Sequence, residues 1–247
     1  MRTAVDFPQW NIPPDSLKLS VGEVHIWSVW LDAPLEILQA LAETLSPDER
    51  QRAERFRFDR DRHRFLVGRG TLRAILSRYL KVDPTQVQFH YGPGGKPALA
   101  GISDLEFNLS HSQDLMLCAV AWNSQVGIDL EYLRPVSDLD HLTQRFFAPQ
   151  EHLAIQALPE SERLRLFFQY WTCKEALLKA IGYGLVNLKD LEILLTETGV
   201  EIVHLKSGSP SLKSWSVDLF TPATNYTAAL AIEGRDRTLS FWQWQSQ

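Results

Sequence analysis

Apolar residues recur along this chain with two different periods, and these periods predict its helices and strands. Helical spacing predicts helices over 34–44, 46–56 and 149–155, a helix that begins near Asp59, and a long helix that contains residues 167–185. Runs of alternating or β-branched apolar residues predict strands over 21–30, 87–91, 104–112, 115–122, 126–135, 214–220, 226–232 and 238–244, with a hairpin over 190–205. The order of these elements predicts an α+β fold.

The predicted elements follow a similar order on either side of a turn at residues 123–125. We therefore expect two similar α+β halves, over 21–122 and 126–247, preceded by a proline-rich polar arm over 1–20. No residue-level repeat accompanies this order, so the pseudo-two-fold symmetry is a hypothesis about architecture. With 247 residues, of which 45% are hydrophobic, the chain is long enough to bury a core in one or two domains.

Composition narrows the possible classes of protein. The net charge of −5 creates no field that attracts a polyanion, so overall charge does not indicate nucleic-acid binding. The two cysteines lie in apolar stretches without a metal-binding or redox spacing, which indicates a reducing compartment. There is no signal-peptide pattern, and no run approaches the roughly 18 apolar residues of a membrane span. We therefore expect a soluble, cytoplasmic protein that does not bind membranes.

One segment departs from the acidic average of the chain. Ser46 and Glu49 form a predicted capping box at its start. Between Arg50 and Arg78 there are ten arginines and only three acidic residues. Pairing along solvated helix faces accounts for part of this charge, but three carboxylates cannot neutralise ten guanidinium groups. Because the forked guanidinium suits a phosphate, we expect some of these arginines to face one, although the helical period does not indicate which.

Two stretches place polar groups beside predicted strand ends. The glycine-rich loop at 92–95 precedes Lys96 and lets backbone approach a ligand closely, although it lacks the spacing of a P-loop. The strand at 104–112 ends near Ser110 and His111. A lone histidine is more often structural than catalytic, and no carboxylate stands at a spacing that predicts a catalytic triad.

The strand that begins at residue 126 alternates, so that Asp129 and Glu131 share one face while Ile128 and Leu130 share the other. Two carboxylates at this spacing are typical of the solvated face of an edge strand. They are also hard oxygen ligands of the kind that Mg²⁺ takes together with phosphate oxygens and water. The alternation alone does not choose between an edge strand and a metal site.

The helix within 167–185 carries one charge in an unusual place. Its apolar positions form a stripe, and Lys174 falls in the middle of that stripe. An ammonium group cannot stay there unless it reaches solvent or meets an anion. Glu175 and Lys179 lie one turn apart beside the stripe, where such a pair is most often a surface ion pair. We expect this helix to present all three groups to a negatively charged ligand.

Four motifs occur in order: GKP at 95–97, NLSHS at 108–112, VGIDLE at 126–131 and WTCKEALLK at 171–179. With these gaps the chain resembles the Sfp-type 4′-phosphopantetheinyl transferases over about residues 20–230. The resemblance implies a monomer of two α+β halves with the active site in the cleft between them. It also implies Mg²⁺-dependent transfer of the 4′-phosphopantetheine moiety of coenzyme A (CoA) to a serine hydroxyl of an apo acyl or peptidyl carrier protein, with release of adenosine 3′,5′-bisphosphate.

The resemblance also implies roles for individual residues, with CoA bound by the first half and the metal and catalytic helix in the second. The implied Mg²⁺ ligands are Asp129, Glu131 and Glu175. The implied CoA contacts are Arg52, Arg55, Arg64, Gly95, Lys96, Pro97, Ser110, His111, Lys174 and Lys179. The implied catalytic residues are Glu175 as the leading general base, His111 as the rival base, and Lys179 beside the leaving bisphosphate. Lys174 is expected to reach a pyrophosphate oxygen across the interface between the halves.

Two positions depart from the family pattern. Glu49 stands where a lysine would better suit the adenosine phosphate, and Phe65 stands where a small polar residue could touch the adenine. The carrier, from fatty-acid, polyketide or nonribosomal-peptide synthesis, is expected to dock on apolar and basic side chains near the cleft. The candidates for this surface are Leu133, Arg134, Arg145, Phe146 and Phe147, although the two phenylalanines are equally expected in the core.

Two other classes of function stay open. A non-catalytic regulator that binds CoA or a nucleotide would keep the fold without needing the candidate base and metal ligands together. A nucleic-acid-binding protein would use the arginine-rich helices, and would show salt-dependent affinity for DNA or RNA with none for CoA. The combined presence of Asp129, Glu131, Glu175 and Lys179 favours the transferase.

Overall fold

The computed structural model describes residues 7–92, 95–101, 104–182, 185–205, 214–234 and 237–245. Its helices are α1 (Leu35–Glu43), α2 (Pro47–Glu54), α3 (Asp59–Leu80), α4 (Leu139–Phe146), α5 (Pro149–Gln156) and α6 (Glu160–Ile181), with 3₁₀ turns at Pro84–Gln86 and Leu185–Asp190. Its strands are β1 (Glu23–Trp30), β2 (Phe89–Tyr91), β3 (Pro97–Leu99), β4 (Leu105–Ser112), β5 (Leu115–Trp122), β6 (Val126–Tyr132), β7 (Leu191–Thr196), β8 (Gly199–Leu205), β9 (Trp215–Phe220), β10 (Tyr226–Glu233) and β11 (Thr238–Gln243). Within the described ranges no helix is both long and apolar enough to span a membrane. The predicted α+β class is confirmed, and α4 and β3 are elements that the pattern did not predict.

The first layer is a four-stranded sheet in the order β11-β1-β5-β4, with α1, α2 and α3 against one face. Trp27 and Val29 of β1 belong to the same buried cluster as Leu72 and Ile75 of α3. The run from 24 to 29 is apolar at most positions because both faces of the sheet are covered. This layer places the arginine-rich helices over one end of β4 and β5.

The second layer is a three-stranded sheet in the order β6-β10-β9, with α6 across one face. Cys173, Ala176 and Leu177 of α6 belong to the same buried cluster as Ala229 of β10. The helix lies so close to β6 that only glycine fits at position 127, because a Cβ atom there would overlap the helix backbone. Small residues at this contact therefore set how deeply α6 sits, and with it the position of the polar groups on its last two turns.

An apolar layer joins the two sheets. It contains Val24 and Ile26 of β1, Ile128 of β6 and Leu230 of β10, none of which is exposed to solvent. Burial of apolar surface contributes about 25 cal/mol per Å², so this layer stabilises the association of the sheets. The two sheets therefore pack against each other through this layer, and each packs against its helices in a separate buried cluster.

The last strand departs from the predicted division of the chain. β11 pairs in parallel with β1, with Trp242 opposite Trp27, and so lies in the first sheet. The N-terminal arm also packs on the body, since Asn11 pairs with Trp242 and Trp10 Nε1 donates to the carbonyl oxygen of Pro222 at 3.0 Å. The sheets therefore do not divide the chain into 21–122 and 126–247. The pseudo-two-fold symmetry of two halves stays a prediction.

Candidate active site

β4 and β6 lie side by side where the two sheets meet, and side chains connect them. The amide nitrogen of Ile128 donates to Asn108 Oδ1 at 2.8 Å. The amide nitrogen of Tyr132 donates to Ser112 Oγ at 3.0 Å. Asn108, Ser110 and Ser112 reach the same neighbour because alternate side chains of a strand share one face. The NLSHS motif therefore fixes the register of the two sheets at this contact, which we call the β4–β6 junction.

Helix α6 adds an ammonium group to the junction. Lys179 Nζ donates to Asp129 Oδ1 at 2.7 Å and to Ser110 Oγ at 3.1 Å. It also donates to the carbonyl oxygen of Ile128 at 3.3 Å. Ser110 Oγ in turn donates to Asp129 Oδ1 at 3.0 Å. Residues from β4, β6 and α6 thus converge on one carboxylate, which is only 5% exposed.

Glu175 lies one turn before Lys179 on α6 and is almost as deeply buried as Asp129, at 7% exposure. Loss of solvent and the negative charge of Asp129 raise the pKa of Glu175 to about 7. The ammonium group of Lys179 opposes this shift, and the charge of Glu131 adds to it. A carboxyl group with this pKa exchanges its proton near neutral pH, as a general base must.

Glu131, two residues after Asp129 on β6, is partly exposed. Its Oε2 accepts hydrogen bonds from Ser112 Oγ and Arg134 Nη1, each at 3.2 Å. Burial and the negative charge of Asp129 nevertheless raise the pKa of Glu131 above its ordinary value. Asp129, Glu131 and Glu175 therefore form one acidic cluster, in which the negative charge of Asp129 disfavours ionisation of the two glutamates.

The donor chemistry of the acidic cluster suits a divalent cation. Asp129 Oδ2 and Glu175 Oε1 are buried, and within the described part of the chain neither atom has a hydrogen-bond partner. A buried oxygen that accepts no hydrogen bond costs free energy, and coordination to a hard cation removes that cost. Among the described residues, no group of three or more His, Cys, Asp or Glu side chains is arranged to hold a metal ion. The other carboxylate oxygen of Asp129 accepts a hydrogen bond from Lys179. Glu131 completes the predicted ligand set, which fits Mg²⁺ by chemistry and stays a prediction.

A cavity of about 770 Å³ lies between α3 and the β4–β6 junction. Its basic lining residues are Arg52, Arg60, Arg64, Arg69, His111 and Arg134, and it reaches Glu131 at the edge of the acidic cluster. This volume falls within the roughly 300–1,000 Å³ that is typical of small-molecule sites. The arginine-rich helices thus form a basic wall directly beside the acidic cluster.

The three arginines that are predicted to contact CoA, Arg52, Arg55 and Arg64, differ in their position relative to the cavity. The guanidinium of Arg52 stacks over the ring of Phe65 at 5.3 Å. Arg64 Nε donates to Asp114 Oδ1 at 3.0 Å, and both arginines line the cavity. Arg55 is not among the lining residues, and its guanidinium bonds instead to an exposed glutamine one turn earlier.

Lys96 connects the loop before β3 to the end of α6. Its Nζ donates to the carbonyl oxygen of Lys179 at 2.9 Å and, at 3.5 Å, to that of Val126. Burial lowers the pKa of Lys96. Gly95 has a left-handed φ of +74°, and Pro97 begins β3. Lys96 thus contacts β6 and α6 through their backbone carbonyl oxygens. Its contact with a CoA phosphate stays a prediction.

His111 is exposed toward the cavity. Partial loss of solvent and the positive charges of Lys179 and Arg64 lower the pKa of His111 below its ordinary value. The imidazole is therefore neutral at pH 7 and can accept a proton or a hydrogen bond. Both predicted roles of His111, as a phosphate contact and as the rival base, remain compatible with this geometry.

Known proteins match this chain along nearly its whole length. A family model described as the 4′-phosphopantetheinyl transferase superfamily matches residues 125–231, and one described as 4′-phosphopantetheinyl transferase, N-terminal, matches residues 28–123. The 4′-phosphopantetheinyl transferase HetI of Nostoc sp. is 48% identical over 238 residues, which cover 95% of this chain and 98% of HetI. This chain belongs to the 4′-phosphopantetheinyl transferase superfamily. It is therefore an enzyme, as its relatives are.

The chain is also similar to more distant proteins. The 4′-phosphopantetheinyl transferase Sfp of Bacillus subtilis is 32% identical over 201 residues, which cover 79% of the present transferase and 88% of Sfp. A solved holo-(acyl-carrier-protein) synthase from Bacillus anthracis, in complex with CoA (3′,5′-ADP), is 20% identical and covers 44% of the transferase and 96% of that chain, with a TM-score of 0.36. A structural likeness this distant adds nothing to the fold described above.

Lys174 of the transferase does not lie where it was predicted. The side chain is completely buried, its ammonium pairs with the carboxylate of Glu151 on α5, and it lies over the ring of Phe147 at 5.0 Å. Glu151 also accepts the amide protons of Ala148 at 2.8 Å and Ile193 at 2.9 Å. The prediction that Lys174 contacts a pyrophosphate across the interface is therefore wrong, because its anion is a buried carboxylate beside α6.

Glu49 also has a structural partner in the transferase. It is 2% exposed and accepts a hydrogen bond from Arg73 Nε at 2.7 Å, with Arg69 Nε 3.4 Å away. This buried ion pair between α2 and α3 explains an acidic residue where a lysine was expected. Arg69 lines the cavity and packs over the ring of Phe89 at 5.0 Å, but the sequence analysis did not single it out. The excess of arginines indicated such a residue without identifying it.

The residues of the predicted carrier-docking surface differ in how deeply they are buried. Phe147 is 1% exposed and stacks on Phe167, so it belongs to the core of the transferase. Arg145 packs over the ring of Phe146 at 4.9 Å, and Arg134 lies at the rim of the cavity. Docking on Leu133, Arg134, Arg145 and Phe146 stays a prediction.

Proposed function

We propose that this transferase moves the 4′-phosphopantetheine moiety of CoA to a serine hydroxyl of an apo acyl or peptidyl carrier protein, with release of adenosine 3′,5′-bisphosphate. The observation that carries the proposal is the position of the basic cavity, which reaches the acidic cluster at the β4–β6 junction. A substrate with several phosphate groups needs a basic wall, and a reacting hydroxyl needs a proton acceptor near the phosphates. We propose carriers of fatty-acid, polyketide or nonribosomal-peptide synthesis as substrates, and a cytoplasmic monomer as the active form.

The proposed CoA site runs from the cavity to the junction. Arg52 and Arg64 are proposed to contact the adenosine end, because both line the cavity together with Phe65. The proposed contacts nearer the pyrophosphate are Gly95, Lys96, Pro97, Ser110, His111 and Lys179. Arg55 does not line the cavity and bonds to Gln51, and we assign it no direct contact.

Asp129, Glu131 and Glu175 are the residues that would hold Mg²⁺. When bound, the cation would withdraw negative charge from the pyrophosphate, which otherwise repels an attacking oxygen. The buried oxygens of Asp129 and Glu175 that lack a hydrogen-bond partner among the described residues support this assignment.

Glu175 is the proposed general base. The serine hydroxyl gives its proton to a carboxylate oxygen of Glu175 as the serine oxygen forms a bond to the phosphorus that carries pantetheine. The bond from that phosphorus to the bridging oxygen breaks, and its electron pair leaves with adenosine 3′,5′-bisphosphate. In the metal-free protein, burial and the charge of Asp129 raise the pKa of Glu175 to about 7, so its carboxylate is more basic than an exposed one. Lys179 is proposed to neutralise the charge that grows on the leaving phosphate.

Intact-mass measurement of an apo carrier protein tests the proposal. Incubation with the transferase, CoA and Mg²⁺ is expected to add one phosphopantetheine moiety, and EDTA is expected to prevent the gain. Glu175→Gln is expected to abolish the gain while CoA still binds in calorimetry, which shows that the variant is folded. Full activity of this variant would remove Glu175 from the role of base, in favour of His111. No gain with carriers from all three kinds of synthase, despite CoA binding, would instead indicate a non-catalytic regulator.

A further inference from the structure

Lys179 is the positive group that pairs with Asp129 of the acidic cluster among the described residues. Its Nζ is 2.7 Å from Asp129 Oδ1, whereas Asp129 Oδ2 and Glu175 Oε1 have no hydrogen-bond partner among the described residues. The other carboxylate of the cluster, Glu131, pairs with Arg134 at 3.2 Å. The ammonium group of Lys179 thus lies beside carboxylate oxygens that accept few other hydrogen bonds.

We propose that Lys179 acts as a built-in counter-cation that competes with a divalent metal ion for Asp129. The inference rests on the proposed function, in which Asp129 is a metal ligand. A carboxylate oxygen that accepts from an ammonium group at hydrogen-bond distance is not free to ligate a cation, and two cations repel each other at such a separation. Metal binding therefore requires Lys179 to leave Asp129 Oδ1.

The surroundings of Lys179 permit this exchange. Its side chain is 30% exposed, compared with 7% for Asp129, so the ammonium can move toward solvent while the carboxylate stays in place. Its other acceptors are the neutral oxygens of Ser110 and Ile128, which bind an ammonium more weakly than a carboxylate does. Once it leaves Asp129, the ammonium is available to an anion in the site. The metal and a phosphate ligand would then assist each other's binding through this one side chain.

The test measures Mn²⁺ affinity in the absence of CoA, by electron paramagnetic resonance of the free ion. Lys179→Met is expected to bind Mn²⁺ about tenfold more tightly than the wild type, the factor that corresponds to one charge-assisted hydrogen bond of about 1.4 kcal/mol. Lys179→Gln is a second variant in case the first does not fold. Lys179→Arg keeps the competing charge and is expected to show no gain.

Lys96→Met is the matched control. It removes another ammonium group near α6, but Lys96 donates to carbonyl oxygens and not to the acidic cluster. An equal gain in Mn²⁺ affinity for this variant and for Lys179→Met would show a general charge effect and overturn the proposal. Equal affinity of the wild type and both neutral Lys179 variants would overturn it as well.

Two further results separate this inference from the proposed function. Asp129→Asn is expected to abolish Mn²⁺ binding, and retained affinity would show that the ion binds elsewhere, which overturns the competition. If the wild type modifies the carrier but Lys179→Met binds Mn²⁺ no more tightly than the wild type, only the role of Lys179 is refuted. The proposed transfer reaction would then still stand. Absence of Mn²⁺ binding in every variant would overturn both the competition and the metal part of the proposed function.

Discussion

Replacing Glu175 with glutamine is expected to stabilise the metal-free protein at pH 8, although the same change abolishes transfer. Burial and the charge of Asp129 raise the pKa of Glu175 from 4.5 to about 7. The folded protein therefore holds the proton of Glu175 more tightly than the unfolded chain does, and ionisation of this carboxyl group at pH 8 weakens the fold. Glutamine has a similar shape and no charge, so it removes that penalty.

The pKa shift sets both the size of the effect and its pH window. A rise from 4.5 to about 7 corresponds to about 3 kcal/mol at a pH above both values. The gain is smaller than this bound because the buried amide of glutamine also needs hydrogen-bond partners. Below pH 4.5 the carboxyl is protonated in both states and the penalty vanishes, it grows as the pH rises, and it is complete above pH 7. For a chain of this length, a gain of 1–3 kcal/mol raises Tm by roughly 3–9 °C.

Urea unfolding of the wild type and Glu175→Gln in EDTA, at pH 5 and at pH 8, measures this effect. Glu201→Gln is the matched control, because it removes the same charge from an exposed position on β8 and is expected to change stability little at either pH. Equal stability of Glu175→Gln and the wild type at pH 8 would refute the reasoning. A gain of the same size at both pH values would also refute it, since the gain would then not arise from ionisation.

Five other substitutions, two of them controls, test the site and its support. Arg64→Ala is expected to weaken CoA binding about tenfold in calorimetry, whereas Arg55→Ala is expected to leave it unchanged, and the opposite order would move the CoA site away from the cavity. Lys174→Met is expected to lower the free energy of unfolding by about 3 kcal/mol in urea, because it leaves a buried carboxylate unpaired, yet the folded variant is expected to bind CoA normally. A selective loss of CoA affinity would restore the phosphate contact for this lysine. Gly127→Ala is expected to destabilise by about 3 kcal/mol or more, because the backbone of α6 occupies the space of the added methyl group, whereas Gly182→Ala, with open space but a φ of +78°, costs about 1 kcal/mol. Similar losses for both glycine variants would show that close approach of α6 is not the cause.

Local patterns were sufficient for the features that depend on neighbours in the chain. The capping box of Ser46 and Glu49 is confirmed, since the amide nitrogen of Ser46 donates to Glu49 Oε2 at 3.0 Å. Alternation along β6 predicted that Asp129 and Glu131 share a face, and both belong to the acidic cluster. The four motifs identified the family, because each preserves residue types whose chemistry does not depend on the rest of the chain.

The partners of buried charges could not be predicted in the same way. The apolar stripe on α6 required an anion for Lys174, but the anion is Glu151, 23 residues earlier in the sequence, and not a substrate. Periodicity gives the face of a helix on which a charge lies, but not which element packs against that face. A buried charge must find a partner wherever packing brings one, because leaving it unpaired costs several kcal/mol.

The sequence alone therefore determined the fold class and the family, and it predicted which side chains carry the chemistry. Only the tertiary structure decided that β11 returns to the first sheet, that Gly127 admits α6, and that Lys179 rests on Asp129. Each of these depends on contacts between residues far apart in the chain, where steric fit and loss of solvent outweigh local preference. The candidate active site lies at such contacts, which is why its side chains could be proposed from the sequence whereas their buried partners could not.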